Sequence, residues 1–233
     1  MRNALILLLA TLATPALTTQ AKAEQTRPVV VELFTSQGCS SCPPADALLT
    51  ELTRRPDVLP LAFHVTSWNN LGWKDPYSLD IATARQRAYQ RQLDADNIYT
   101  PQMIVDGRTD VVGSDRRNVE RAISAAKASM TVPLTLTNDA TGLHIDIGAG
   151  QGQAALLLIG YDSAHQTAIG RGENAGRKLT ESNIVRSLAV LAPWNGTAQH
   201  LQAKLPEGEH TVAILQDSAG RILATAQLTK PAT

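Results

Sequence analysis

Residues 29–49 read VVVELFTSQGCSSCPPADALL and contain both cysteines of the 233-residue chain, Cys39 and Cys42. The apolar run at the start of this stretch is typical of a strand that is buried on both faces. After the two prolines, apolar residues recur at helical spacing, and proline is tolerated only in the first turn of a helix. The stretch therefore predicts a strand, a short loop with a CxxC motif, and a helix that begins close to Cys42.

A CxxC motif at the N-terminus of a helix favours thiol–disulfide chemistry. The unpaired N–H groups and the helix dipole at that end stabilise a thiolate, which is the species that attacks disulfides. We therefore expect Cys39 to attack a substrate and Cys42 to resolve the mixed disulfide.

Two other roles for the cysteine pair remain open from the sequence. The pair could bind a metal, but a zinc site needs two more ligands, and no second CxxC or H-x₃₋₅-H motif accompanies His64 and His144. It could also be an inert bridge, but a four-residue loop removes little entropy from the unfolded chain.

The first 23 residues have the pattern of a secretory signal peptide. Arg2 precedes an apolar core at 4–13 that is too short to span a bilayer comfortably, and residues 21–23 read as an A-x-A cleavage site. An uncleaved anchor is the alternative. We expect a periplasmic or secreted protein that is not inserted in the membrane after signal cleavage, in a compartment where disulfides persist.

The composition argues against several classes of partner. The 21 basic and 21 acidic side chains balance, so the chain has no electrostatic footprint for nucleic acid. Aromatic residues make up 4% of the chain, which disfavours a stacking platform for bases or sugars. We expect protein thiols or disulfides, or a redox partner protein, as partners, and we expect no cofactor and no metal.

The apolar pattern changes near residue 131. Before this point, strands predicted at 29–34, 58–65 and 102–105 alternate with helices, one of them at 78–93 and another capped by Asp115 with a buried stripe that ends at Met130. After it, apolar and polar residues alternate between turn-rich spacers, as in antiparallel strands. The sequence predicts an α/β fold: a signal peptide at 1–23, a thioredoxin-like domain at 24–130 and a small antiparallel β-sandwich domain at 131–233.

In a thioredoxin-like fold, a cis-proline at the start of a strand faces the dithiol. Thr100-Pro101 lies just before the third predicted strand, where that fold places the proline. A trans proline that opens a strand is the alternative, because cis X–Pro bonds are uncommon. We expect Pro101 in cis, with the backbone of Thr100 free to bind an extended substrate segment.

Three further residues are candidates near the dithiol. Glu32 lies in the first strand and would either relay protons to Cys42 or be a strand-edge residue that faces solvent or pairs with an arginine. Trp68 and Trp73 lie in the long loop after the second strand and would either line a substrate cleft or anchor the loop. His64 ends that strand, and a satisfied structural histidine is the favoured interpretation over an acid–base role.

The glycine-rich segment 170–178 does not fit a nucleotide site. A GxGxxG motif would need glycine at position 175, where the chain has Ala175. A charged connection between two strands, able to contact a partner, accounts for the segment better.

Four segments resemble the signature of the bacterial "domain of unknown function 1223" family: VVELFTSQGCSSCPPAD at 30–46, LGWKDP at 71–76, YTPQ at 99–102 and GENAGR at 172–177. The resemblance covers nearly all of the predicted mature chain. It implies an exported protein of the thioredoxin-like superfamily with a β-rich C-terminal part, and it implies no activity. From the residues we predict a thiol–disulfide oxidoreductase. A non-enzymatic binding module for a metal or a protein, and a purely structural protein, are the alternatives.

Overall fold

A computed structural model describes residues 25–126 and 128–228. The predicted signal peptide lies outside the described residues. The helices are α1 (Pro43–Leu52), α2 (Asp80–Gln92) and α3 (Arg116–Ala125), and a 3-10 turn spans Thr66–Trp68. The strands are β1 (Gln25–Thr26), β2 (Val29–Thr35), β3 (Val58–His64), β4 (Gln102–Val105), β5 (Thr109–Val112), β6 (Ser129–Met130), β7 (Leu134–Asp139), β8 (Gly142–Ile147), β9 (Ala154–Ala168), β10 (Lys178–Trp194), β11 (Gln199–Ala203), β12 (His210–Gln216) and β13 (Ile222–Gln227).

An eight-stranded mixed sheet joins the two halves of the chain. Its strand order is β13-β12-β9-β10-β3-β2-β4-β5. The neighbours β2 and β3 are parallel, and β3 is also parallel to β10, with Ala62 paired to Ile184. The predicted α/β class is therefore confirmed, and strands from both predicted domains share one sheet.

The strands predicted to form a separate sandwich are divided between two sheets. β9, β10, β12 and β13 belong to the large sheet, whereas β7, β8 and β11 form a small antiparallel sheet. Apolar side chains of the small sheet pack against those of β9, β12 and β13 in a common core, with Trp194 fully buried in it. The C-terminal half therefore consists of a three-stranded sheet packed on the extension of the large sheet.

Strand β2 is buried on both faces, as predicted. Val30 and Phe34 pack in the core that contains α2, whereas Val31 and Leu33 pack in the core that contains α1 and α3. Because side chains alternate along a strand, Glu32 points to the α2 side of the sheet.

The helix boundaries follow the local signals closely. Pro43 and Pro44 occupy the first turn of α1, and Cys42 is its N-cap residue. The side chain of Asp115 accepts a hydrogen bond from the backbone N–H of Asn118, which confirms the predicted cap of α3. The prediction that this helix continues to Met130 is wrong, because α3 ends at Ala125 and Met130 lies in β6, paired with β1. Among the described residues, none of the helices has the length and apolar character needed to cross a membrane.

Candidate functional site

Cys39 and Cys42 form a disulfide at the N-terminus of α1. Both residues are fully buried, whereas Ser40 and Ser41 between them are exposed. The hydroxyl of Ser41 lies 3.4 Å from the sulfur of Cys39. The loop that contains the two cysteines follows strand β2 and ends at the start of α1, so the disulfide lies between a strand and a helix.

The segment Thr100-Pro101 faces the disulfide. The peptide bond between these residues is cis, as predicted. The hydroxyl of Thr100 donates to the sulfur of Cys39 at 3.4 Å and accepts a hydrogen bond from Nε1 of Trp68 at 2.9 Å. Among the hydrogen bonds of the described residues, none uses the backbone N–H or C=O of Thr100. These groups are therefore available to an extended segment of another chain.

A cleft of about 280 Å³ lies beside Thr100 and is mostly apolar. Its lining residues are Ser67, Trp68, Leu71, Gln86, Ile98, Tyr99 and Thr100. Leu71 is 56% exposed, which is unusual for a large apolar side chain in this protein. The structure thus places Trp68 at a cleft next to the dithiol, where it also anchors its loop to Thr100.

Glu32 pairs with an arginine, which was one of its predicted roles. Its carboxylate accepts hydrogen bonds from the guanidinium of Arg85 and from the hydroxyl of Tyr89. Arg85 and Glu32 lie on the α2 side of the sheet, whereas Cys42 begins α1 on the other side. Burial raises the pKa of Tyr89, so its hydroxyl stays protonated and donates. Glu32 is therefore held by Arg85 and Tyr89 on the side of the sheet opposite Cys42.

Asp46 is a buried acid on the same side of the sheet as the dithiol. It lies one helical turn after Cys42, and its backbone N–H donates to the carbonyl of Cys42 at 3.1 Å. The hydroxyl of Thr35 donates to its carboxylate at 2.7 Å. Burial and the nearby charge of Glu181 raise the pKa of Asp46 to about 7. The sequence offered one signal for this residue: an acid within the apolar stripe of α1.

A buried cluster of charged groups influences this acid electrostatically and contacts the loop that precedes Cys39. His64 is ion-paired with Asp75 at 2.7 Å, and Asp75 also accepts the backbone N–H of Gln37 at 2.8 Å. The side chain of Gln37 donates to Glu181 at 2.6 Å. Burial lowers the pKa of His64, but the surrounding carboxylates outweigh it and raise the value to about 9. His64 is therefore a charged structural partner of Asp75.

The buried carboxyl of Asp46 predicts a pH-dependent effect of Asp46→Asn on stability. The folded-state pKa is raised, so the folded chain keeps this proton between about pH 4 and pH 7 while the unfolded chain releases it. The wild-type protein loses stability as the pH rises through that window. Asparagine has no proton to release there, so the variant does not have this loss. We expect the variant to gain stability relative to wild type between pH 4.5 and pH 7.5, measured by urea unfolding of the oxidised protein.

Asp57→Asn provides a control that should not respond to this pH window. A hydrogen bond from Arg55 lowers the pKa of Asp57, so this carboxylate stabilises the fold above its unfolded pKa and loses that effect only as the pH falls below about 4. The difference in stability between Asp57→Asn and wild type should therefore stay nearly constant between pH 4.5 and pH 7.5. An Asp46→Asn difference that is the same at both pH values would contradict the assignment.

The comparisons with known proteins agree with this architecture. The model of the family described as "Protein of unknown function (DUF1223)" matches residues 30–216. The chain belongs to the DUF1223 family. A crystal structure of a protein from Agrobacterium tumefaciens is similar to it, with 30% identity over 91% of this chain and 98% of that chain and a TM-score of 0.77. None of the curated proteins is a significant match.

A second solved structure shows similarity of fold alone. The protein HBP35 of Porphyromonas gingivalis is 15% identical over 88% of this chain and 76% of that chain, with a TM-score of 0.53.

In this DUF1223 protein, the C-terminal half also reaches the dithiol. Asn174, in the connection between β9 and β10, donates through Nδ2 to the carbonyls of Gln37 and Cys39, both at 2.9 Å. Trp73 donates through Nε1 to the side chain of Gln37 at 3.0 Å. The glycine-rich segment therefore connects two strands, as predicted, and it contacts the loop that contains Cys39.

The described part of this DUF1223 protein, residues 25–126 and 128–228, contains no group of three or more His, Cys, Asp or Glu side chains arranged to hold a metal ion. His144 stacks on His200 far along the chain from the dithiol, and His64 is engaged by Asp75.

Proposed function

We propose that this protein is an exported thiol–disulfide oxidoreductase with a thioredoxin-like dithiol site. The observation that carries the proposal is the position of the Cys39 sulfur, at the start of α1 and in contact with Thr100 next to the cis-proline Pro101. A helix N-terminus favours the thiolate. The free backbone of Thr100 provides a place for an extended substrate.

In the reducing direction, the thiolate of Cys39 attacks a substrate disulfide. A bond forms between Cys39 and one substrate sulfur, and the other substrate sulfur leaves as a thiolate that takes up a proton from water. The thiol of Cys42 then loses its proton and attacks Cys39, so that the second substrate thiol is released and the Cys39–Cys42 disulfide forms. Two electrons pass from the protein to the substrate, and the oxidising direction is the reverse.

We assign to Asp46 the role of accepting the proton of the Cys42 thiol and returning it. It replaces Glu32 in this role because it lies one turn from Cys42 on the same helix, whereas Glu32 is paired with Arg85 across the sheet. An acid with a pKa near 7 accepts and returns a proton at neutral pH. We assign to Trp68 and the adjacent cleft the binding of the substrate side chains next to the reacting sulfur.

The test is the reduction potential of the Cys39–Cys42 pair in the mature protein. The protein is equilibrated in glutathione or dithiothreitol buffers, and thiols are trapped and counted. We expect a reversible two-electron transition. A reduction potential of about −120 mV would indicate an oxidant, and one of about −270 mV would indicate a reductant. A pair that never equilibrates with these buffers would overturn the proposal.

A further inference from the structure

The tip of the β9–β10 hairpin, residues 170–177, contacts the loop that carries Cys39. Asn174 is buried, and its Nδ2 is the donor to both carbonyls that flank Gly38, those of Gln37 and Cys39. Next to it, the carboxylate of Glu173 accepts the backbone N–H of Ser40 at 3.2 Å. The C-terminal half thus binds the dithiol loop on both sides of Cys39.

The tip has a fixed conformation that does not depend on the side chain of Asn174. Backbone hydrogen bonds close it on itself, from Ala175 to Gly172, from Gly176 to Ile169 and from Ile169 to Arg177. It also packs closely on the loop of Trp73, because a Cβ atom at Gly172 would lie 3.1 Å from the Cβ of Trp73. Asn174 is therefore presented to the dithiol loop by a rigid support.

The carbonyl of Gln37 is a buried acceptor whose donor is Asn174, whereas the carbonyl of Cys39 also accepts the backbone N–H of Cys42 at 3.3 Å. An acceptor left without its partner in a protein interior costs about 1–3 kcal/mol. In the oxidised protein, the disulfide closes a small ring and keeps the loop from turning these carbonyls toward water. In the reduced protein that ring is open, so the loop has more freedom to find other donors.

We propose that Asn174 is a positioning residue for the dithiol, supplied by the C-terminal half, which stabilises the disulfide form through the carbonyls of Gln37 and Cys39. This inference rests on the proposed function, because it assumes that the pair cycles between its two redox states. It assigns a role to the β-rich half: to set the equilibrium between dithiol and disulfide.

The test is the reduction potential of Asn174→Ala beside the wild-type protein. Loss of the amide is expected to destabilise the disulfide form more than the dithiol form. We therefore expect the equilibrium to shift toward the dithiol by about tenfold, which corresponds to about 30 mV. Asn174→Ser keeps at most one donor and should give a smaller shift in the same direction. A shift below about threefold, or one toward the disulfide, would overturn the inference.

Asn183→Ala is the matched control. Its side chain also lies in the C-terminal half and donates to a backbone carbonyl of the first half, that of Pro60 at 2.8 Å, but the contact is away from the dithiol loop. We expect this variant to lose stability without a shift in potential. An equal shift in both variants would show a general effect of loosening the two halves and would overturn the role of Asn174. A wild-type pair that fails to equilibrate would instead contradict the proposed function.

Discussion

Replacing Cys39 by serine is expected to reduce thiol–disulfide exchange to the background rate of the uncatalysed reaction. Serine has no thiolate to attack a disulfide, and among the hydrogen bonds of the described residues Thr100 contacts the sulfur of Cys39 and not that of Cys42. Loss of the bridge should lower the free energy of unfolding by about 2 kcal/mol on the loop-entropy model, so the protein stays folded. Turnover of a disulfide substrate and urea unfolding of the same sample measure the two effects.

Cys42→Ser is the matched variant, because it loses the same disulfide and keeps the attacking thiol. It should form a mixed disulfide with substrate through Cys39 and stop there, since the resolving thiol is absent. Mass spectrometry of the trapped species detects this difference. Turnover by Cys39→Ser at the wild-type rate would contradict the two-cysteine mechanism. Trapping by Cys39→Ser but not by Cys42→Ser would reverse the order of the two cysteines.

The largest expected effect on stability is that of Arg85→Met. The variant keeps most of the apolar stem of the side chain but leaves the fully buried carboxylate of Glu32 without its cation. Breaking one partner of a buried ion pair costs about 3–5 kcal/mol. We expect a loss of this size in the free energy of unfolding, measured by urea denaturation.

Arg116→Met is the control for the loss of an arginine from an ion pair. Arg116 pairs with Glu51 at 2.7 Å, but both side chains are about half exposed, so the contact is worth no more than about 1 kcal/mol. The reduction potential of Arg85→Met should stay at the wild-type value, because Glu32 lies across the sheet from Cys42. A loss below about 1 kcal/mol would contradict the cost assigned to breaking this buried ion pair. A clear change in the potential would show that Glu32 acts in the redox reaction.

The parts of the site that the sequence predicts are those with local signals. The apolar run before Cys39 and the prolines after Cys42 each restrict a few neighbouring residues, so the strand, the loop and the start of α1 follow from them. The segment Thr100-Pro101 was predicted from its place before a strand, and the structure has the cis bond there.

The role of Glu32 could not be chosen from the sequence. A strand that is apolar at nearly every position gives no indication of which side chains face α1 and which face α2. Once the structure places Val31 and Leu33 on the side of α1, the alternation along β2 puts Glu32 on the other side.

Contacts between distant segments had no signal in a single sequence. The buried cluster of charged groups draws Asp46, His64, Asp75 and Glu181 from four separate elements, and Asn174 reaches Cys39 from 135 positions away. The separate second domain was predicted from a change in apolar pattern, and that pattern is the same whether its strands form their own sheet or extend an existing one.

The parallel pairing of β3 with β10 affects how the chain must be assembled. All seven residues of β3 are buried, and its free edge stays without hydrogen-bond partners until β10 has been synthesised. An apolar open edge of this kind recruits strands from other chains. We therefore expect a chain that ends after α3 to aggregate through this edge. For the same reason, we do not expect a fragment that contains only the dithiol half, residues 25–126, to remain soluble.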